Sequence, residues 1–345
     1  MRRPPAAIDR GDQAGQKYRP APIHCRVLAL PERRAVLFLP GVILLAILLV
    51  ALFFPALGVF VGIFTPVPLI LIYLQWGKPI GLISMGVLFM VLVSLAGPQQ
   101  AMIFVAEYAL VAVIMGETIG LSLPYDRSIF FSTLGSAVLS IVLIWMFVAD
   151  MGMSPVDFFK EEIDRALQKY LESAQELENS SVDMEVLKKF AGEASRMFAQ
   201  AFPAIIAIGA LTVAVINYFS VRFLWLRFYT SEYFAAADLT RWVLPDYWVW
   251  PFIISGGALL GLDSAGFAIG LNVFLVLFTL YFLQGMAIMH HFLQAKNAPR
   301  PLWVIIYILI FAQPIFMGLI MGVGLFDIWL DFRKLRVTAT PDQEE

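Results

Sequence analysis

The sequence predicts an all-α fold: a polytopic transmembrane helix bundle of eight or nine spans, with an amphipathic helical hairpin outside the membrane core. Three observations predict it. The 345 residues are 60% hydrophobic and 14% charged, with mean hydropathy +0.80, against about 45–50% apolar and about 25% charged in soluble domains. Apolar runs of about 18 residues or more, long enough to cross a bilayer as helices, recur along the chain. One stretch, 150–200, breaks that pattern with eleven acids and six bases.

Residues 1–34 carry eight Arg/Lys against three acids, and four prolines fall in the first 22. They read as a flexible basic tail, held in the cytoplasm by the positive-inside rule. They are too long, too polar and too Pro-rich for a cleavable signal peptide. An N-terminal bundle of five spans follows over 35–149, at 35–54, 56–75, 79–97, 101–121 and 129–149. The turns between them are short: Pro55–Gly58, Gly77-Lys78-Pro79, Gly97-Pro98 and Pro124–Arg127. With the N-terminus inside, Lys78 and Arg127 fall on the cytoplasmic side, as the rule prefers.

The acidic stretch 150–200 has net charge −5. Ser154-Pro155-Val156-Asp157 supplies an N-cap, a proline at N1 and an acid at N3, so a helix starts there. Phe159, Ile163, Leu167, Tyr170, Ala174 and Leu177 make one apolar stripe. Asn179-Ser180-Ser181 interrupts it, and Met184, Leu187, Ala191, Ala194 and Phe198 form a second. The expectation is a helical hairpin on the outer face.

The C-terminal region 201–332 supplies spans at 201–221, 249–263, 266–292 and 301–326, packed on the first bundle, and a polar tail covers 333–345. Residues 222–249, with three arginines and several tryptophans, read as an interfacial segment. Nine spans would leave Arg333-Lys334-Leu335-Arg336 outside, against the rule. The reading is therefore eight full spans, with the short, glycine-rich 249–263 re-entrant or partial; nine remains the alternative. Glycine pairs four apart (Gly58/Gly62, Gly116/Gly120, Gly257/Gly261, Gly266/Gly270, Gly318/Gly322) point to close helix packing. Gln313-Pro314 loosens the last span, because proline removes an intrahelical bond.

Composition excludes several classes. One cysteine, Cys25, leaves no disulfide framework or multi-cysteine metal cluster, and net charge −2 gives no argument for nucleic acid. HExxH, GxSxG, Walker A and CxxC motifs are absent, so neither an enzyme nor a cofactor is expected. A charge in hydrocarbon costs at least about 2.5–3.5 kcal/mol, so intramembrane polar residues need a reason. Glu107 is the clearest: a hydrogen-bonded carboxyl between helices, a ligand or ion contact, or a proton relay. Glu117 lies about 80° around the helix from it and reads as interfacial. Asn217, Asn272, Gln284 and His291 complete the candidate ligand contacts. Each amide also fits a helix cross-link, and His290 and His291 fit the headgroup boundary. The His-His pair lacks the i, i+4 spacing of a helical metal site. Asp327, Asp331, Arg333 and Lys334 read as an ion-paired stop signal, with an Asp331–Lys334 pair at i, i+3.

Two blocks carry a resemblance: FFPALGVFVGIFTPVPLILIYLQWGKPIGL at 53–82, and LNVFLVLFTLYFLQGMAIMHHF with GVGLFDIWLDFRK at 271–292 and 322–334. They resemble the YybS-like family of predicted bacterial multi-pass membrane proteins, a domain of unknown function. That resemblance implies a bacterial inner-membrane protein and no assigned catalytic residues. The first five spans are distantly similar to the substrate-binding S components of energy-coupling-factor transporters. Ala35, Ala46 and Ala51 do not make the Ala-x-x-x-Ala ladder of that group.

Two functions follow. One is small-molecule binding or transport, in the manner of an S component, through Glu107, Asn217, Asn272, Gln284 and His291. The other is an envelope structural or assembly role, in which hairpin 154–200 docks a protein partner and the basic tail meets membrane lipid.

Overall fold

The computed structural model describes residues 38–176, 184–229, 233–234, 239–261 and 264–335. The basic tail, the interruption at 179–181 and the last ten residues lie outside them. The described residues are helical, with no strand among them. The helices are α1 Leu39–Phe53, α2 Pro55–Gly62, α3 Pro66–Trp76, α4 Lys78–Ala96, α5 Pro98–Gly120, α6 Tyr125–Asp150, α7 Pro155–Glu176, α8 Met184–Gln200, α9 Phe202–Phe228, α10 Val249–Gly261, α11 Ser264–Ala295, α12 Arg300–Ala312 and α13 Pro314–Leu330. Proline opens many of them, at the position where its missing N–H costs nothing.

Five helices, α4, α5, α6, α9 and α11, are long and apolar enough to cross a membrane; α12 with α13 makes a sixth if counted as one span. The pair is bent by 105° at Gln313. Gln313 is extended, with φ −128° and ψ 116°, because the ring of Pro314 drives the residue before it out of the α region. The expected loosening of this span is a full break.

The expected span at 56–75 is divided too. α3 has only 11 residues, nine of them buried, including Leu69, Ile70 and Leu71. A helix apolar on every side belongs in a core. Here α1, α4, α5 and α9 pack around it. Its Tyr73 ring sits between Gly81 of α4 and Gly116 of α5, where an added Cβ would stand 2.6 and 2.7 Å from the ring.

α6 lies against α5 and α9 through Ser128, Ser132, Ser136 and Ser140, one small buried residue per turn. Ser136 Oγ donates to the Ala106 carbonyl at 2.8 Å, inside a π-helical turn, Val105–Ala109, of α5. A second layer packs α11 on α10 and α13, with the core side chains Leu277, Tyr281, Phe252 and Ile328, and meets the first where α9 touches α11. α11 and α13 touch backbone to backbone: a Cβ on Gly285 would run into the Ile320 carbonyl, and one on Gly324 into the Tyr281 carbonyl. Of the glycine pairs read from spacing, Gly270 meets Ala258 of α10, whereas Gly257, Gly261, Gly318 and Gly322 face open space.

α7 and α8 pack on each other, and Phe159 stacks on Phe202 at the start of α9. α7 starts as its sequence dictates: Ser154 Oγ accepts from the Asp157 N–H at 3.2 Å. Ser195 and Ala199 of α8 are buried, while Phe190, Met197 and Phe198 are 69%, 50% and 59% exposed.

Candidate functional site

Each intramembrane amide completes a backbone that the helices leave broken. Asn272 of α11 enters the joint between α8 and α9. Were those two one helix, the Ala204 N–H would bond the Gln200 carbonyl. Instead Ala204 donates to Asn272 Oδ1 at 2.8 Å, and Asn272 Nδ2 donates to Gln200 O and to Ala268 O, each at 2.8 Å. One side chain is inserted in place of one helical bond, a recognised cause of a sharp kink.

Asn217 of α9, fully buried, does the same for the turn before α3. Three residues beyond Ile63 stands Pro66, which has no N–H to offer. Asn217 Nδ2 supplies the missing donor, to Ile63 O at 2.8 Å, and bonds Val213 O at 2.7 Å.

Gln284 belongs to a larger group. The segment between Leu239 and Pro245 has one 3-10 turn, Leu239–Arg241, and is otherwise irregular and partly buried, so its backbone needs side-chain partners. Gln284 Oε1 accepts from the Leu244 N–H at 3.0 Å, and its Nε2 donates to Asp327 Oδ2 at 3.3 Å. Asp327 Oδ2 also accepts from Arg333 at 2.6 Å, and its Oδ1 from the Phe332 N–H at 2.9 Å. Arg333 donates on to Thr240 O at 2.7 Å and Trp242 O at 3.0 Å. The ion pair is buried at both ends, 0% and 4% side-chain exposure. The close approach at Gly285 and Gly324 brings Gln284 beside Asp327. The whole is a staple tying segment 239–244 to α11 and α13. The sequence singles out Gln284, whereas Asp327 and Arg333 read in it as a stop signal. The signal in FDIWLDFRK was a charged pair following a glycine-packed helix. Asp331 caps α13 in the left-handed region at φ 40°, and its carboxylate accepts from the Leu335 N–H.

Glu107 stands apart. It occupies the π-helical turn midway along the 23-residue α5 and is exposed, on the outside of the bundle. Glu117 joins Tyr73 and Lys78, accepting from both side chains and linking α3, α4 and α5. Beyond the end of α9, Tyr229 donates to Gln75 Oε1 at 3.2 Å, and burial pushes its phenol up to about 12. His291 is half-buried beside the Phe292 ring. His290 bonds Tyr307 at 3.0 Å and Gln294 at 2.9 Å. Glu107, Asn217, Asn272, Gln284 and His291 are thus distributed over separate places, with Asn217, Asn272 and Gln284 each bonded to a different segment. Among the described residues, no group of three His, Cys, Asp or Glu side chains is placed to hold a metal ion.

The pattern of a family described as "Predicted membrane protein (DUF2232)" matches residues 42–328, most of the chain and all of α2 to α12. No curated protein and no solved structure matches the chain.

Proposed function

The chain belongs to the DUF2232 family of predicted membrane proteins, and from that premise we propose that it is a structural or assembly component of the bacterial inner membrane, working through contacts with other membrane proteins. One observation carries this reading: Glu107, a carboxyl at the middle of α5, exposed on the bundle exterior. Intramembrane acids face a bundle interior or a partner, since lipid contact costs at least about 2.5–3.5 kcal/mol. A helix from another protein, offering a hydroxyl, amide or cation, answers that cost. Met102 and Ile103, one turn away, are 42% and 41% exposed and extend the contact. We read α7 and α8, which pack on each other, as lying outside the membrane, where the exposed Phe190, Met197 and Phe198 give the same partner a second contact. In this reading the basic N-terminus lies in the cytoplasm, and α12–α13, bent at Gln313, is a broken or re-entrant span.

The alternative, small-molecule transport in the manner of an S component, draws less support. It needs its polar residues to converge, and the three amides are each engaged with backbone groups of different segments.

The test is site-specific photocrosslinking. A benzophenone amino acid at Ile103 of the full-length protein, irradiated in native membranes, gives a polypeptide adduct, and Glu107→Leu lowers its yield about tenfold. Adducts to lipid alone, or a yield unchanged by Glu107→Leu, contradict the reading.

A further inference from the structure

A second feature lies at the far end of α11. The helix has 32 residues, about 48 Å at the helical rise, against about 30 Å of hydrocarbon. Its ends therefore reach the headgroup layers. At the C-terminal end the chain turns through Asn297, left-handed at φ 46°, and starts α12. A cleft of about 780 Å³ opens in the notch, lined by Leu293, Gln294, Asn297, Arg300, Trp303 and Tyr307, with Ala298 and Val304 completing it. That volume lies within the range of small-molecule sites, roughly 300–1,000 Å³.

The walls are organised before anything enters. His290, just behind the lining, bonds both Tyr307 and Gln294 and stands edge-on to the Trp303 ring at 4.9 Å. Trp303 Nε1 donates to Ala298 O at 3.0 Å, fixing its ring across the mouth. One side is apolar and aromatic; the rim is polar, with Arg300 and the amides of Gln294 and Asn297. Charge favours one sign: from Ser264 to Phe326 the chain has Lys296 and Arg300 but no Asp or Glu. An apolar wall, an amide-and-guanidinium rim and a place at the headgroup layer suit an amphiphile with an anionic head. Basic pockets between membrane helices bind such heads.

We propose that this cleft binds a phosphate group, that of an anionic phospholipid whose acyl chain lies along Trp303 and Val304. Arg300 pairs with the phosphate, while Asn297 and Gln294 donate to its oxygens. The site is independent of Glu107 and of any partner held there.

The test uses the full-length protein in mixed micelles, with native mass spectrometry reading retained lipid. Phosphatidylglycerol is retained about tenfold more tightly than phosphatidylcholine, whose choline cation offsets the charge of the same phosphodiester. Arg300→Gln removes that preference, and Arg300→Lys keeps most of it. Val304→Trp, at a position 57% exposed and so tolerant in the fold, fills the cleft and lowers retention as well. Displacement of phosphatidylglycerol by inorganic phosphate, lost in Arg300→Gln, upholds the phosphate chemistry and assigns its source to a soluble phosphate compound. Equal retention of the two lipids, or retention unchanged in Arg300→Gln and Val304→Trp, overturns the proposal.

Discussion

At the scale of the residue, three amides and one arginine inside this bundle act as replacement parts for backbone hydrogen bonds. Asn272 stands in for the bond between Ala204 and Gln200, Asn217 for the N–H that Pro66 lacks, and Gln284 with Arg333 for the ladder that segment 239–244 does not form. The sequence marks such residues by type but not by partner, because the backbone group that each completes lies 40 or more positions away. Asp327 and Arg333 were hidden in another way. Six positions apart, they do not share a helix face, and they meet only because the chain turns at Asp331. Removing one end of this buried pair leaves the other unpaired, which costs about 3–5 kcal/mol. Asp327→Ala and Arg333→Met should each lower the thermal midpoint in detergent. The double variant Asp327→Leu/Arg333→Met should recover part of the loss. If the double variant melts at or below the lower single variant, the pair contributes more than mutual charge compensation.

At the scale of the element, the sequence reveals where helices stop better than how they pack. Gln313-Pro314 announces a break, but its 105° depends on α13 being held against α11, while α12 is largely exposed. Spacing picks out Gly318/Gly322, whereas the close approach uses Gly285 and Gly324. A four-residue period says that a helix has a smooth face and not that another helix lies on it. Gly324→Val should therefore push α13 off α11 and disturb the staple, at a cost of about 1–3 kcal/mol or more. Gly318→Ala and Gly322→Ala meet nothing within 4 Å and should be neutral or slightly stabilising, since alanine is the better helix former. Thermal unfolding of the three variants checks this; destabilisation by Gly318→Ala matching that of Gly324→Val would contradict the packing described.

At the scale of the whole molecule, composition and apolar runs were enough for an all-helical membrane protein. The number of spans was not legible, because hydropathy cannot tell a helix buried in protein from one buried in lipid: α3 is as apolar as α4, yet one is enclosed and the other exposed along most of its length. The candidate site was legible as a set of residues and not as an arrangement, since face and depth depend on that packing. Inside, the amides hold the fold together; Glu107 lies exposed on α5. Thermal unfolding of the purified protein separates the two roles most directly. Asn272→Ala loses three hydrogen bonds, about 2 kcal/mol at membrane values near 0.6 each, and should lower the midpoint by a few degrees. Glu107→Leu removes an outward carboxyl and should leave the midpoint unchanged or raise it. Should Glu107→Leu destabilise the isolated protein as much as Asn272→Ala does, Glu107 is holding this bundle together and the account of its outer face is wrong.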